Sequence, residues 1–316
     1  MRRKFLCLAV LIVGSAPASS ISLQAQTVTQ PKDVAVTIDD LPLNGPQFEA
    51  GRLRAMTDKI LAAINKHQIP VVGFVNESLL QVPGETDARV AILKAWADGG
   101  VELGNHTFSH LGFKDASLNE YQDDFLRGEV VTRRLLKQKG QKVRYFRHPF
   151  LQLGPTRELE QSFESFIAER GYKIAPVTVD VMDWMILSAY ADARAQGDGE
   201  MAKRVSDEYL KFAERKFDFC EQVATELFGH PIKHVLLLHL GAFSSTILPD
   251  LFDLLKKEDF TFVTLEEAQS DPAYDTDPDA GSKYGGTLLE QWMDVRQLKY
   301  PDLPKKPYKR LDAICR

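Results

Sequence analysis

Val34-Ala35-Val36-Thr37-Ile38-Asp39-Asp40 is an apolar, β-branched run that closes on two adjacent carboxylates. Such a run reads as a buried strand, and its two acids then stand where the strand ends and a loop begins. That end of a parallel strand is where α/β enzymes carry their chemistry. Downstream lies His106-Thr107-Phe108-Ser109-His110. Two histidines four residues apart on a helical turn can reach one ion, and an oxygen of Asp40 completes a set of three ligands with positions left open. Asp39 would stand beside the ion without being needed as a ligand.

Outward from this stretch, short β-branched runs alternate with longer amphipathic ones. Strands are expected at 34–38, 71–75, 101–104, 143–146, 174–179, 235–238 and 260–265. Between them lie helical patterns such as Leu53, Met56, Ile60 and Ile64, or Val90, Leu93 and Ala97. About seven strand-helix units in series predict an α/β protein, a distorted (β/α) barrel in a single catalytic domain; an open doubly wound sheet is the structural alternative. Two stretches fall outside the repeat. Residues 185–230 read as a helical insertion, either extra helix packed on the barrel or a lid over the site. Residues 271–316, beginning Asp271-Pro272-Ala273-Tyr274, read as a polar C-terminal extension, either irregular and draped on the surface or partly disordered.

The chain has 316 residues, 44% of them hydrophobic, enough to bury a sizeable core. Met1-Arg2-Arg3-Lys4, the apolar Phe5 to Val13 and the small residues around Ala16-Pro17-Ala18 form the pattern of a secretory signal peptide. We assign it to residues 1–25, with cleavage after Ala18 or Ala25, followed by a short segment 26–32. The expected location is therefore periplasmic or extracellular, with no stable membrane anchor. The formal net charge is −5, and losing Arg2, Arg3 and Lys4 would take it to about −8. That balance argues against nucleic acid as a partner. Cys220 and Cys315 could pair in an oxidising compartment or remain buried thiols; two cysteines make no disulfide scaffold. The oligomeric state is not readable.

Each motif alone is ambiguous, since an Asp-Asp pair often caps a helix and a His-x-x-x-His spacing is often incidental. Three further strand ends remove the ambiguity. Val143-Arg144-Tyr145-Phe146 runs into Arg147-His148-Pro149-Phe150, Val177-Thr178-Val179 into Asp180-Val181-Met182-Asp183-Trp184, and Leu236-Leu237-Leu238 into His239. Titratable groups at the same end of one sheet converge on a single pocket.

These five motifs, in this order, resemble those of the polysaccharide deacetylase family, the NodB homology domain or carbohydrate esterase family 4. The resemblance spans about residues 33–267, within a deacetylase-like domain expected at 33–270. It implies a distorted (β/α) barrel, one divalent ion, zinc for preference, and hydrolysis of an acetyl group on an acetylated carbohydrate. Carried over, it makes Asp40, His106 and His110 the metal ligands and Asp39 the general base, paired with Arg147. His239 becomes the general acid, supported by Asp183, while Phe150, Trp184 and Leu237 line the substrate groove. The implied activity is an exported N-deacetylase of a GlcNAc-containing glycan, chitin oligosaccharide or peptidoglycan. An O-acetyl xylan esterase or small-amide hydrolase on the same fold is the alternative, and an inactive carbohydrate-binding protein a more distant one.

Three departures from the family pattern stand out. Leu151 occupies a position that is often glycine, Leu240 one that is often Asp, and the stretch between Asp183 and His239 is long. Among the other histidines, His67 is expected to cap a helix end, His230 and His234 to flank the sixth strand on the surface, and His148 either to fill space or to touch substrate. Trp96 is expected in the core.

Overall fold

The computed structural model describes residues 32–42, 48–186, 190, 193–194, 196–279 and 285–298. The expected signal peptide, residues 26–31 and Cys315 lie outside the described residues. Strands β1 (Lys32–Leu41), β2 (Val71–Val75), β3 (Glu102–Asn105), β4 (Tyr145–Phe146), β5 (Lys173–Ile174), β6 (Val179–Asp180), β7 (His234–His239) and β8 (Phe260–Phe262) form one parallel sheet. Its order is β5-β4-β3-β2-β1-β7-β6, with β8 on the first residues of β1. The result is a distorted barrel wrapped by helices.

Period-two alternation sorts β1 between two environments. Val34, Val36 and Ile38 join the large core under the helices, with Leu53, Ile60, Leu93, Trp96 and Leu251. Ala35 faces the other way, into a small cluster with Val72, Phe74, Tyr145, Ala175 and Val235, which is the barrel interior. Thr37 and Asp39 share the parity of Ala35 and continue that inner column. From Val34 to Ile38 strand β1 is therefore buried on both sides, and its only polar side chain there is the inward Thr37.

The expected strand at 174–179 is two short strands, and the physical reason is a seam. Ala175 donates to Phe146 O on one side, whereas Thr178 donates to Val235 O on the other, so the chain steps across from β4 to β7 between them. Pro176 sits in the step and has no N–H to give either neighbour. Among the described residues β5 and β6 do not pair directly, and the barrel is joined there by chain instead of by a ladder.

The expected insertion contains the helix Gly199–Phe228, which joins β6 to the adjacent parallel β7. It starts on an Asp198 cap and ends on Gly229 at φ 77°. Val205, Tyr209, Phe212, Val223 and Leu227 are buried along one side, so it is a long crossover helix and an integral part of the core. This buried side packs the helix on the barrel. The C-terminal extension also differs from expectation. Residues Leu288–Val295 form a helix with a Thr287–Glu290 capping box, burying Leu288, Leu289 and Met293. An irregular tail would not bury that face.

Candidate active site

Each expected site residue leaves its strand at the same end of the barrel. A pocket of about 370 Å3 is lined by Asp39, Asp40, His106, His110, Phe150, Leu151, Trp184, Leu237 and His239, with Asp180, Gly286 and Glu290 completing its wall. The backbone there is strained. Asp40, Thr107, His110, Phe150, Leu151 and Met182 all have φ between 53° and 66°, the left-handed region that side chains other than glycine, Asn and Asp avoid. Leu151, at φ 55°, adopts a conformation that glycine takes freely. Its N–H donates to His148 O at 3.0 Å and is used inside that turn.

Asp40, His106 and His110 each offer a donor atom within 4.8 Å of the others. The two histidines are not on a helical turn, as their spacing suggests. They sit on a loop, and the left-handed residues Thr107 and His110 fold it so that the ring centroids lie 5.0 Å apart. The helix Leu118–Arg127 holds this loop: Asp124 accepts from Ser109 N at 2.9 Å, and its carbonyl accepts from Phe108 N. Asn105 and Asn76 bind the loop backbone from β3 and from the end of β2. At Gly128 the two backbones come so close that a Cβ would stand 2.5 Å from the Thr107 carbonyl carbon.

The donor set fits a divalent ion. His106 Nδ1 lies 2.8 Å from the carbonyl oxygen of Arg147, which can only accept, so the proton is on Nδ1 and the Nε2 lone pair is available. Burial lowers both imidazoles to about 3, which keeps them neutral. Burial pushes Asp40 up to about 6, with Asp39 and Asp183 adding to the rise against His239. A cation among these three residues relieves the cost of ionising that carboxylate. Two imidazole nitrogens and one oxygen suit zinc.

Asp39 is almost fully buried, with Oδ2 3.6 Å from His106 Nε2 and Oδ1 3.1 Å from Arg147 Nη1. Arg147 lies inside the barrel. It donates from Nη1 to Thr37 Oγ1 at 2.7 Å and from Nε to Ala175 O at 3.0 Å, with its guanidinium over the Phe74 ring. Burial raises the Asp39 carboxyl, and Arg147, His239 and His110 offset only part of that rise. Arg147 orients the carboxylate without winning the contest over its proton affinity.

On another wall, His239 Nδ1 donates to Asp183 Oδ1 at 2.8 Å, while Asp183 also accepts from the backbone N–H groups of His239 and Trp184. Burial alone would lower His239, but Asp183, then Asp40 and Asp39, raise it to about 10. Phe150 and Trp184 stand exposed at the rim, and Phe150 packs edge-on against His110. Leu237 follows Val235 on the inner face of β7 and reaches the pocket floor.

The remaining histidines depart from expectation in part. His148 is buried, bonded to Tyr121 Oη and stacked near Phe113, so it fills space. His234 is wholly buried against Thr178 at the start of β7. His67 is buried beside Phe252. Sequence reasoning missed Gly286 and Glu290 on the pocket wall and Asp124 and Gly128 behind the histidine loop, and it gave Asp180 and Leu151 no role of their own. Thr37 carried a signal, because a hydroxyl inside an apolar strand needs a buried partner.

The sequence model of the polysaccharide deacetylase family matches residues 26–163. A peptidoglycan-N-acetylglucosamine deacetylase of Bacillus cereus is 28% identical over 158 residues, 50% of this chain and 48% of that protein, so the matched part spans about half that relative's length. Among solved structures, a mutant CE4 family pseudoenzyme with restored enzymatic activity, whose parent is from Bacillus anthracis, is similar with a TM-score of 0.51 and 21% identity. That likeness covers 75% of this chain and 67% of that one. A polysaccharide deacetylase of Bacillus cereus is similar with a TM-score of 0.50 and 17% identity over 74% of this chain and 91% of that one. At these identities the structural likeness carries the fold. The sequence match contains Asp39, Asp40, both loop histidines and Arg147, so the part of the chain that is similar to the polysaccharide deacetylase family includes the metal-ligand candidates and the buried acid with its arginine.

Proposed function

We propose that the protein is an exported, metal-dependent deacetylase that hydrolyses N-acetyl groups of a GlcNAc-containing glycan. One observation carries the reading: a buried carboxylate tied to Arg147 and a histidine tied to Asp183 line the same pocket as a His, His, Asp donor set. Asp40, His106 and His110 would hold the ion, which when bound supplies Lewis acidity, polarising the acetyl carbonyl and acidifying water.

The rest of the chemistry belongs to the chain's own side chains. Asp39, its proton affinity raised by burial, takes the proton from the attacking water while Arg147 holds its Oδ1 in place. Water oxygen bonds to the acetyl carbon, and the C–N bond then breaks. An amine leaves only once its nitrogen is protonated. His239, raised to about 10, carries that proton and donates it, and Asp183 stabilises the imidazolium until then. Base and acid thus hold opposite protonation states in one pocket, and the products are acetate and a free amine. Phe150 and Trp184 at the rim would give sugar rings two flat apolar faces.

Acetate release from chitin oligomers, peptidoglycan and acetylated xylan, each with and without a chelator, tests the reading. Chelator-sensitive release from a GlcNAc substrate is expected. Release from xylan alone would transfer the site to ester chemistry, and release from none of them would refute deacetylation.

A further inference from the structure

The pocket wall contains a stretch that none of the five sequence motifs includes. Gly285 to Glu290 enters from the C-terminal side and is fixed at three points. Leu288 N donates to Val177 O at 2.7 Å, on the chain that crosses the barrel seam, so the segment covers the opening that β5 and β6 leave between them. Gly285, at φ 80°, passes so close to the Phe150 backbone that a Cβ there would overlap its carbonyl oxygen. Gln291 Nε2 donates to Gly286 O at 2.9 Å. This docking brings Gly286 and the Glu290 side chain into the same pocket as Asp39 and His239.

Glu290 is held from behind. Its Oε1 lies 3.5 Å from Nζ of Lys216, an almost fully buried lysine on the crossover helix, and its Oε2 accepts from Thr287 N at 2.9 Å. A buried ammonium demands a counter-charge, so Lys216 fixes where the carboxylate sits. The Glu290 side chain is still 30% exposed, and it lines the pocket. Each carboxylate oxygen has a second lone pair to offer.

Building on the reading of this pocket as a glycan site, we propose that Glu290 is a specificity-determining residue that accepts hydrogen bonds from the hydroxyl groups of the sugar bound over the catalytic centre, with Lys216 as its positioning residue. The choice of a neutral hydroxyl over a cationic amine follows from the pairing. Lys216 already balances the charge of Glu290, which leaves directional acceptors and little net attraction for an ammonium. The acceptors come from a wall fixed to the barrel seam, so they are placed before substrate arrives.

Calorimetric titration of the zinc-supplemented mature protein with an N-acetylglucosamine tetrasaccharide tests the assignment, with melting temperatures recorded for every variant. Glu290→Ala should weaken binding about tenfold, the scale of a lost hydrogen bond to a charged group. Because that change leaves Lys216 buried without its partner, the double variant Glu290→Ala/Lys216→Met removes both and should bind as weakly. Gln291→Ala loosens the same segment while keeping the carboxylate and should change the Kd less than twofold. Binding by the double variant within twofold of the parent would overturn the assignment, as would a loss in Gln291→Ala as large as that in Glu290→Ala. A parent that binds no tetrasaccharide would also overturn it. Acetate is measured on the same samples: a parent that binds but releases none refutes deacetylation and leaves the Glu290 contact standing.

Discussion

Replacing Asp183 with Asn should lower His239 from about 10 toward its ordinary value of 6.5. The magnitude follows from what the carboxylate opposes. Burial is the largest single influence on His239 and acts to lower it; Asp183 contributes the two largest raising influences, its charge and its hydrogen bond, ahead of Asp40 and Asp39. Asparagine removes the charge but keeps the shape. It also has one acceptor oxygen where Asp183 accepts from three N–H groups, Trp184 N, His239 N and His239 Nδ1. An amide NH2 turned toward Nδ1 can donate only to the neutral ring, which favours that form further. One N–H left without an acceptor costs about 1–3 kcal/mol of stability, so the variant should melt lower yet still fold.

The sign for catalysis is direct. A raised histidine is protonated below its pKa and loses its proton as pH rises through it, so the parent keeps its acid at neutral pH. A histidine titrating at 6.5 is roughly one-quarter protonated at pH 7, a loss of about fourfold in the active form before any change in donor strength. Imidazole titration by NMR in the metal-free protein reads the pKa without activity, and the pH profile of kcat/KM for acetate release reads its consequence. The alkaline limb should move to lower pH in Asp183→Asn. An unmoved limb together with an unmoved imidazole titration would show that Asp183 does not tune His239.

Three further outcomes are expected. The Asp40→Ala, His106→Ala, His110→Ala triple variant should lose its stoichiometric divalent ion in elemental analysis, and retention of one equivalent would place the site elsewhere. Gly128→Ala should weaken metal binding about tenfold or more in competition with a chelator, because a Cβ 2.5 Å from the Thr107 carbonyl carbon must displace the backbone between the two ligating histidines; unchanged affinity would mean that the loop yields without moving them. His239→Ala should lose more on an N-acetylated chitooligosaccharide than on acetylated xylan, since an alkoxide can depart without the proton an amine requires. Equal losses in kcat/KM on both would separate His239 from leaving-group protonation.

Four legible residues of the site share one property: each is a polar residue at or shortly after the end of an apolar run. Asp39, Arg147, Asp183 and His239 follow or end β-branched or leucine runs, and a parallel barrel brings such ends together. Strand position therefore implies spatial position, and the sequence supports that step. Six of the eight strands correspond one to one to runs visible in the same way, and the remaining two share a single run, which is instructive. The run at 174–179 is continuous in hydrophobicity but contains Pro176, whose missing N–H matters only because two different neighbours compete for the residues on either side of it.

Glu290 and Asp124 were not legible, for a different reason. Each belongs to a helix whose pattern says which face is buried but not what the opposite face meets. Glu290 reads as the third residue of a capping box, a role it does fill with Thr287. That its other oxygen faces Lys216, 74 residues earlier in the chain, depends on where the segment docks, and docking is set by the Leu288 hydrogen bond to the seam at Val177. The seam is thus a feature of the fold with a consequence for the site. A barrel closed there by a β5–β6 ladder would leave Val177 without a free carbonyl to offer and the C-terminal helix without its anchor. The open joint puts a second, later part of the chain into the pocket wall beside residues supplied by the strands.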